Sequence, residues 1–281
     1  MLVAENIDYY YEKYNESSKK IEKVFAIKGM DLTIAENEFL VILGKNGSGK
    51  STFSRLCNAL LTPTDGVLYI DKINTTDKEK VYEIREKVGV VFQNPDNQIV
   101  ATKVEDDVAF GPENLKLTPL EIRNRIEYAV SLVGIEHLKN ASTDELSVGQ
   151  KQKVSLSGVL AMQPKYLILD EPTSMQDPKS REDIMNVLKH IHKNSKVSII
   201  LVTHYMEEVV YADRVVVMDD SKVRMSGTPR EIFSRPDQIK EYGLELPKIL
   251  LIANKLKEKG VKISKTILTN EELVEEICRL D

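Results

Sequence analysis

The sequence predicts an α/β fold: a mainly parallel sheet with an antiparallel β part at its N-terminal end, a helical insert, and a small helical extension at the C-terminal end. Three observations carry this. Apolar runs of strand length at 39–43, 88–92, 166–169 and 197–202 alternate with helical stretches, the order that builds a parallel sheet. Residues 94–161 hold several amphipathic helical stretches and no clear strand. From about Arg235 the composition shifts again, to two amphipathic helices. The chain thus divides into a body at 1–234, with a helical subdomain at about 94–161, and an extension at 235–281. The extension either packs on the body or makes a dimer contact. The 281 residues suffice for a large core.

The elements follow in order. Residues 2–11 alternate, with Ile7, Tyr9 and Tyr11 on one face of a strand. Residues 12–23, rich in lysine and glutamate, read as a solvated loop, and 24–34 as a second strand broken at Gly29. The strand at 39–43 leads through a glycine loop into a helix at 52–60. A turn, Thr62-Pro-Thr-Asp-Gly66, precedes a short strand at 67–70, and 77–86 reads as a charged helix. In the insert, 119–133 is a helix whose apolar residues are Leu120, Ile122, Ile126, Ala129, Val130 and Val133. Asp106 and Asp107 read as a solvated helix start. Asp177 and Pro178 open another helix as N-cap and first-position proline, with Ile184, Val187, Leu188 and Ile191 on its apolar side. Strands at 215–218 and 222–226 close the body. In the extension, 248–259 is helical and stops at Gly260. Thr269-x-x-Glu272 is a capping-box pattern before Leu273, Val274, Ile277 and Leu280.

The chemistry begins at Gly44-x-x-x-x-Gly49-Lys50-Ser51, a phosphate-binding loop between a strand and a helix, the setting it requires. Gly44, Gly47 and Gly49 let backbone N–H groups converge on one anion, and the following helix adds its positive dipole end. Lys50 can reach the β- and γ-phosphates of a nucleoside triphosphate and the Ser51 hydroxyl can ligate Mg²⁺; Asn46 and Ser48 within the loop and Thr52 behind it are expected at the same nucleotide site. The bland alternative is a glycine-rich turn that binds nothing, which the full pattern disfavours. The strand at 166–169 ends in Asp170-Glu171, at the carboxyl edge where α/β sheets hold ligands. Asp170 suits Mg²⁺ and Glu171 is placed to accept a proton from an attacking water. Leu146-Ser147-Val148-Gly149-Gln150 precedes a helix with Ser147 as N-cap, giving a second anion-binding helix start. One triphosphate hardly needs both from a single domain. The economical solution is a head-to-tail pair, each chain closing over the other's nucleotide.

Composition narrows the partners. The net charge of −5 and pI near 5.6 argue against nucleic acid. Cys57 and Cys278 stand in no metal spacing and read as reduced thiols of a cytoplasmic protein. No apolar run approaches the roughly 18 residues of a membrane span, and the first residues lack a signal-peptide pattern. At a membrane, such a chain is peripheral and held by a partner.

At Leu146–Gln150 the chain resembles the ATP-binding-cassette (ABC) ATPases, a P-loop NTPase family, through their signature motif. The family's other motifs fall in order: Gln93 matches the Q-loop glutamine, Ser174-Met-Gln-Asp177 the D-loop, His204 the switch histidine, and Tyr11 the aromatic that stacks on adenine. For each there is a plainer reading. A lone histidine after a strand is commonly structural, Tyr9, Tyr10 and Tyr14 compete with Tyr11, and Gln93 could only cap a strand. The match narrows at Phe92-Gln-Asn-Pro-Asp-Asn-Gln98, at 104–114, at 158–162 and at 241–247. These resemble the first of two ATPase types of energy-coupling factor (ECF) transporters, importers of vitamins and transition metals, and their cobalt-transport relatives. The resemblance implies ATP and Mg²⁺ as cofactors, with Ser51, Gln93 and Asp170 at the metal. Ser147, Gly149, Gln150 and Asp177 would act across the pair. It implies a second ABC subunit, identical or paralogous, a transmembrane scaffold subunit, a substrate-binding membrane subunit, and a place on the cytoplasmic face of the cell membrane. Three positions depart from the pattern: Val148 replaces a glycine, Lys153 an arginine and Gln176 a leucine. With a paralogous partner these would make the two ATP sites unequal. Two rival readings stand beside the importer: a soluble ABC ATPase of DNA repair or translation, and a non-hydrolysing nucleotide switch.

Overall fold

The computed structural model describes residues 1–16, 19–263 and 266–279. Its N-terminal part is a hairpin of β1 (Leu2–Asn15) and β2 (Lys20–Ile34), not a strand followed by a loop. The antiparallel ladder sets Glu12 opposite Lys23 and Lys13 opposite Glu22. Charges that read as a solvated loop are therefore matched across two strands, where opposite pairs stabilise an exposed ribbon. Gly29 does not break β2. It takes φ 56° at a register shift, and its N–H donates to the Asp8 carboxylate at 2.5 Å.

β3 (Phe39–Gly44) and α1 (Lys50–Cys57) come next, then β4 (Asp65–Ile70) and β5 (Ile73–Asn74). The expected charged helix is two pieces, a 3₁₀ turn at Lys78–Lys80 capped by Asp77 and α2 (Val81–Lys87), which runs into β6 (Val88–Val91). The insert holds α3 (Val104–Glu113), α4 (Pro119–Val133) and α5 (Val148–Ala161). Asp107 is not solvated. It is buried, and its carboxylate accepts the N–H groups of Val100 at 2.7 Å and Ala101 at 3.1 Å, fixing the turn into α3. β7 (Tyr166–Asp170), α6 (Pro178–Asn194), β8 (Ser198–Thr203), β9 (Arg214–Asp219) and β10 (Lys222–Gly227) complete the body.

Two sheets result. One is antiparallel, in the order β2-β1-β4-β5; the other, β10-β9-β3-β8-β7-β6, is parallel apart from β10. The parallel strands are covered on both faces, which is why they read as unbroken apolar runs. Phe39, Val41 and Leu43 face the core shared with α4, α5 and α6, whereas Leu40 and Ile42 face α1 and the antiparallel sheet.

The C-terminal residues form α7 (Pro229–Phe233), α8 (Pro236–Glu241), α9 (Lys248–Glu258) and α10 (Asn270–Cys278). Ile239, Leu244, Leu246, Leu250 and Leu268 enter the core beside the insert, and Ala253, Ile263, Ile267 and Leu273 form a small cluster of their own. The capping box is half formed. Thr269 accepts from the Glu272 N–H, but the Glu272 carboxylate takes the Leu268 N–H and pairs with Arg230. Of the expected apolar side, Leu273 is buried, Val274 and Ile277 are exposed, and Leu280 lies outside the described residues.

Candidate active site

β3, β8 and β7 are parallel neighbours, so their carboxyl ends open at one edge. That edge gathers the glycine loop, His204 and the Asp170-Glu171 pair. Gly49 must be glycine twice over: its φ is 105°, and an added Cβ would lie 2.0 Å from the Ala26 carbonyl oxygen. Within the loop Lys50 is buried and donates to the carbonyls of Gly44 at 2.7 Å and Lys45 at 2.9 Å, with Glu171 Oε1 at 3.8 Å. Burial pushes its ammonium pKa down, against the pull of Glu171 and Asp170. Ser48 is buried beneath the loop, while Asn46 and Gly47 are exposed at its crown.

The Ser51 hydroxyl donates to Asp170 Oδ1 at 2.8 Å. Burial, reinforced by Glu171, raises the Asp170 pKa although the Ser51 hydrogen bond opposes it. Two hard oxygen donors side by side at the phosphate end of a loop are of the kind that would suit Mg²⁺, a cation that takes oxygen ligands. Gln93, the third expected metal residue, is not joined to them by a hydrogen bond. Its side-chain amide donates to Ser174 Oγ at 3.2 Å, linking the start of the insert to the loop after Glu171.

Glu171 is buried in the left-handed region, with φ 49°, and its N–H is pinned to the Val202 carbonyl at 2.9 Å. Strain of this kind in a residue other than glycine persists where the surroundings over-determine it. Its Oε2 lies 3.2 Å from His204 Nδ1. Tyr11 stands at the far side of the loop, 40% exposed, its hydroxyl 3.2 Å from Thr52 Oγ1 and its ring edge-on to Tyr9. An exposed ring beside the phosphate loop is what stacking on a base needs; Tyr14 is farther along the ribbon and Tyr10 packs on Phe25.

Ser147 caps α5 with Gln150 in a reciprocal box: Ser147 N–H to Gln150 Oε1 at 2.9 Å, Gln150 N–H to Ser147 Oγ at 3.3 Å. Val148 is exposed in the first helical turn. Gly149 faces Gln176 and Ser180, where a Cβ would come within 3.0 Å of Gln176 Oε1. Asp177 caps α6 by accepting from Lys179 N–H, Ser180 N–H and Ser180 Oγ, and these bonds, the Ser180 hydroxyl first, hold its pKa low.

Two features were not legible beforehand. Thr173 and Glu208 meet in a buried hydrogen bond behind Glu171 and His204, though Glu207-Glu208 looks like ordinary surface charge in the sequence. The 243–248 segment of the extension also reaches the site. With Lys45, Asn46, His204 and Tyr205 it lines a cleft of about 710 Å³.

The chain is similar to known proteins along its whole length. The family model for ABC transporters matches residues 27–174, and that for the C-terminal domain of the energy-coupling factor transporter protein EcfA1 matches 252–281. The energy-coupling factor transporter ATP-binding protein EcfA1 of Clostridium novyi is 47% identical over 280 residues, covering 100% of this chain and 98% of the relative. A solved structure of cbiO1 from Clostridium perfringens, part of the ABC transporter complex cbiONQ, superposes with a TM-score of 0.75 at 38% identity, over 90% of this chain and 98% of that one. The dimeric cassette MJ0796, in a post-hydrolysis state bound to ADP and Pi, superposes with a TM-score of 0.73 at 31% identity, over 82% of this chain and 99% of that one. The chain therefore belongs to the ABC transporter ATPases and, among them, to the ATP-binding subunits of energy-coupling factor transporters.

Proposed function

We propose that this ATPase works as a head-to-tail pair with a second ABC subunit, identical or paralogous, on a transmembrane scaffold, and powers import of vitamins or transition-metal ions. No helix among the described residues is long and apolar enough to cross a membrane. The proposed place is peripheral, on the cytoplasmic face. The transporter names of the relatives favour this over a nucleic-acid cassette.

The observation that carries the catalytic reading is the placement of Glu171. Its two carboxylate oxygens lie 3.8 Å from Lys50 Nζ and 3.2 Å from His204 Nδ1. A γ-phosphate held by Gly44–Ser51 and Lys50 would present its far side to Glu171. Glu171 would then take a proton from water attacking in line, and His204 would fix the γ-phosphate's orientation. Tyr11 would stack on adenine. Ser51 and Asp170 would hold Mg²⁺, which neutralises phosphate charge when bound. Ser147, Gly149 and Gln150 of the facing chain would close over the triphosphate with their helix start, and Asp177 would hold the D-loop in place for that contact. Gln93, through Ser174, would relay the state of the site to the insert, where 93–114 would receive the transmembrane partner.

Replacing Glu171 by Gln keeps shape and removes the base. Steady-state phosphate release should fall about 10²–10⁴-fold with ATP binding retained. Hydrolysis at the parent rate would refute the assignment. Isolation of the tagged chain from native membranes checks the partners: a second cassette and multi-helix membrane proteins should accompany it, whereas recovery with ribosomes or DNA would not fit.

A further inference from the structure

Behind the proposed catalytic groups lies a buried charge the mechanism does not use. Glu208 is 1% exposed, in the 3₁₀ segment that follows His204. Its Oε1 accepts from the Thr173 hydroxyl at 2.5 Å, two residues beyond Glu171. Burial drives its pKa up, while Thr173, Thr203, Arg181 and His204 favour the charged form.

The nearest cation is incompletely engaged. Arg181, in the first turns of α6, has its Nε 4.0 Å from Glu208 Oε1. That is ion-pair range but beyond a hydrogen bond. Glu208 Oε2 and Arg181 Nε are both buried, with no hydrogen-bond partner among the described residues. Such atoms are costly to leave unpaired, so an arrangement that brings them together is favoured once the backbone allows it. The Arg181 guanidinium also lies 3.5 Å over the Tyr205 ring, and Tyr205 stands 4.2 Å from the His204 ring. The Tyr205 hydroxyl reaches towards the Ser174 carbonyl at 3.5 Å.

Three segments therefore meet around this pair: the loop after Glu171 through Thr173 on Glu208, the start of α6, capped by Asp177, through Arg181, and His204 through Tyr205 on Arg181. We propose that Glu208 and Arg181 are a positioning pair for hydrolysis. The pair is open in this conformation and closes when α6 shifts as two chains come together, setting His204 and Glu171 for the reaction. The pair would act through His204 and Glu171 rather than on the nucleotide itself. The proposal rests on the assignment of Glu171 and His204 made above.

A double-mutant cycle on the purified transporter complex tests it. Glu208→Gln is isosteric and keeps an acceptor for Thr173; Arg181→Met keeps length and loses charge. Each should lower kcat for ATP about 10- to 100-fold, the cost of a small misplacement of catalytic groups. KM should stay within about twofold. The double variant should be no slower than the slower single one, since both break one interaction. Arg181→Lys should restore part of kcat. Parent-like kcat in Glu208→Gln, additive losses, or equal changes in kcat and KM would overturn the pairing. The control is Glu171→Gln. If that variant still hydrolyses ATP, the site assignment fails first; if it is inactive while the cycle is additive, only the positioning pair fails.

Discussion

Asp71 shows how one side chain can join two sheets. It sits in the turn between β4 and β5 of the antiparallel sheet, and its carboxylate accepts from Lys165 Nζ at 2.8 and 2.9 Å and from the Tyr166 hydroxyl at 2.8 Å, where β7 begins. Burial opposes its charge, yet the hydrogen bonds led by Lys165 win and hold its carboxyl below the usual range. The same contact, after burial itself, raises the Tyr166 phenol. A carboxylate whose pKa is lower folded than unfolded contributes stability that is fully present above its unfolded pKa, about 3.9. That contribution drains away as pH falls through the folded value. Urea unfolding followed from pH 5 to pH 2 should therefore show a shallower acid loss in Asp71→Asn than in the parent, the gap between the two curves staying constant above about pH 4 and narrowing only below the unfolded pKa. Parallel curves would mean that the hydrogen bonds do not hold the native carboxylate.

At the scale of elements, α6 and the loop before it carry the least expected residue, Gln176. The side chain is buried, its Oε1 faces Gly149, and its Nε2 has no hydrogen-bond partner among the described residues. Gln176→Leu removes an uncompensated buried amide and should raise stability by about 1 kcal/mol. The check is a higher urea midpoint at unchanged slope; a fall would mean that the amide is engaged. Elements were legible where burial is one-sided or complete. β3, β7 and β8 announce themselves because both faces are covered, and α4 because Ile126, Ala129, Val130 and Val133 share one buried side. Residues 12–15 and 20–23 were not legible, because a polar ribbon stabilised by Glu12–Lys23 and Lys13–Glu22 pairing has a loop's composition. The phosphate loop and Asp170-Glu171 were legible as motifs with strict chemistry. Glu208 was not, since only the tertiary fold turns that carboxylate inward, and Asp107 was misjudged for the same reason.

At the scale of the molecule the extension is divided between two roles. Leu244, Leu246 and Leu250 anchor it in the core, and Gly243 lies against the Lys45 side chain, so it is part of the wall of its own site. Beyond that anchor, α9 leaves Leu251 and Ile252 exposed, and α10 leaves Val274 and Ile277 exposed one turn apart on one face. Apolar side chains so placed lose little by staying on a monomer and gain by being covered when a second surface arrives. The reading in which that surface is the second cassette predicts a selective defect. Val274→Glu with Ile277→Glu should leave the melting temperature of the isolated chain nearly unchanged, because neither side chain is in the core. It should weaken association with the partner cassette at least tenfold, about 1.4 kcal/mol, in sedimentation with ATP present. ATPase activity should then fall at low protein concentration and recover as concentration rises, since in the proposed head-to-tail pair each site would need the facing Ser147–Gln150 helix start. Unchanged association would confine the extension to its own body, and a loss that concentration does not restore would place the defect inside the site rather than between the chains.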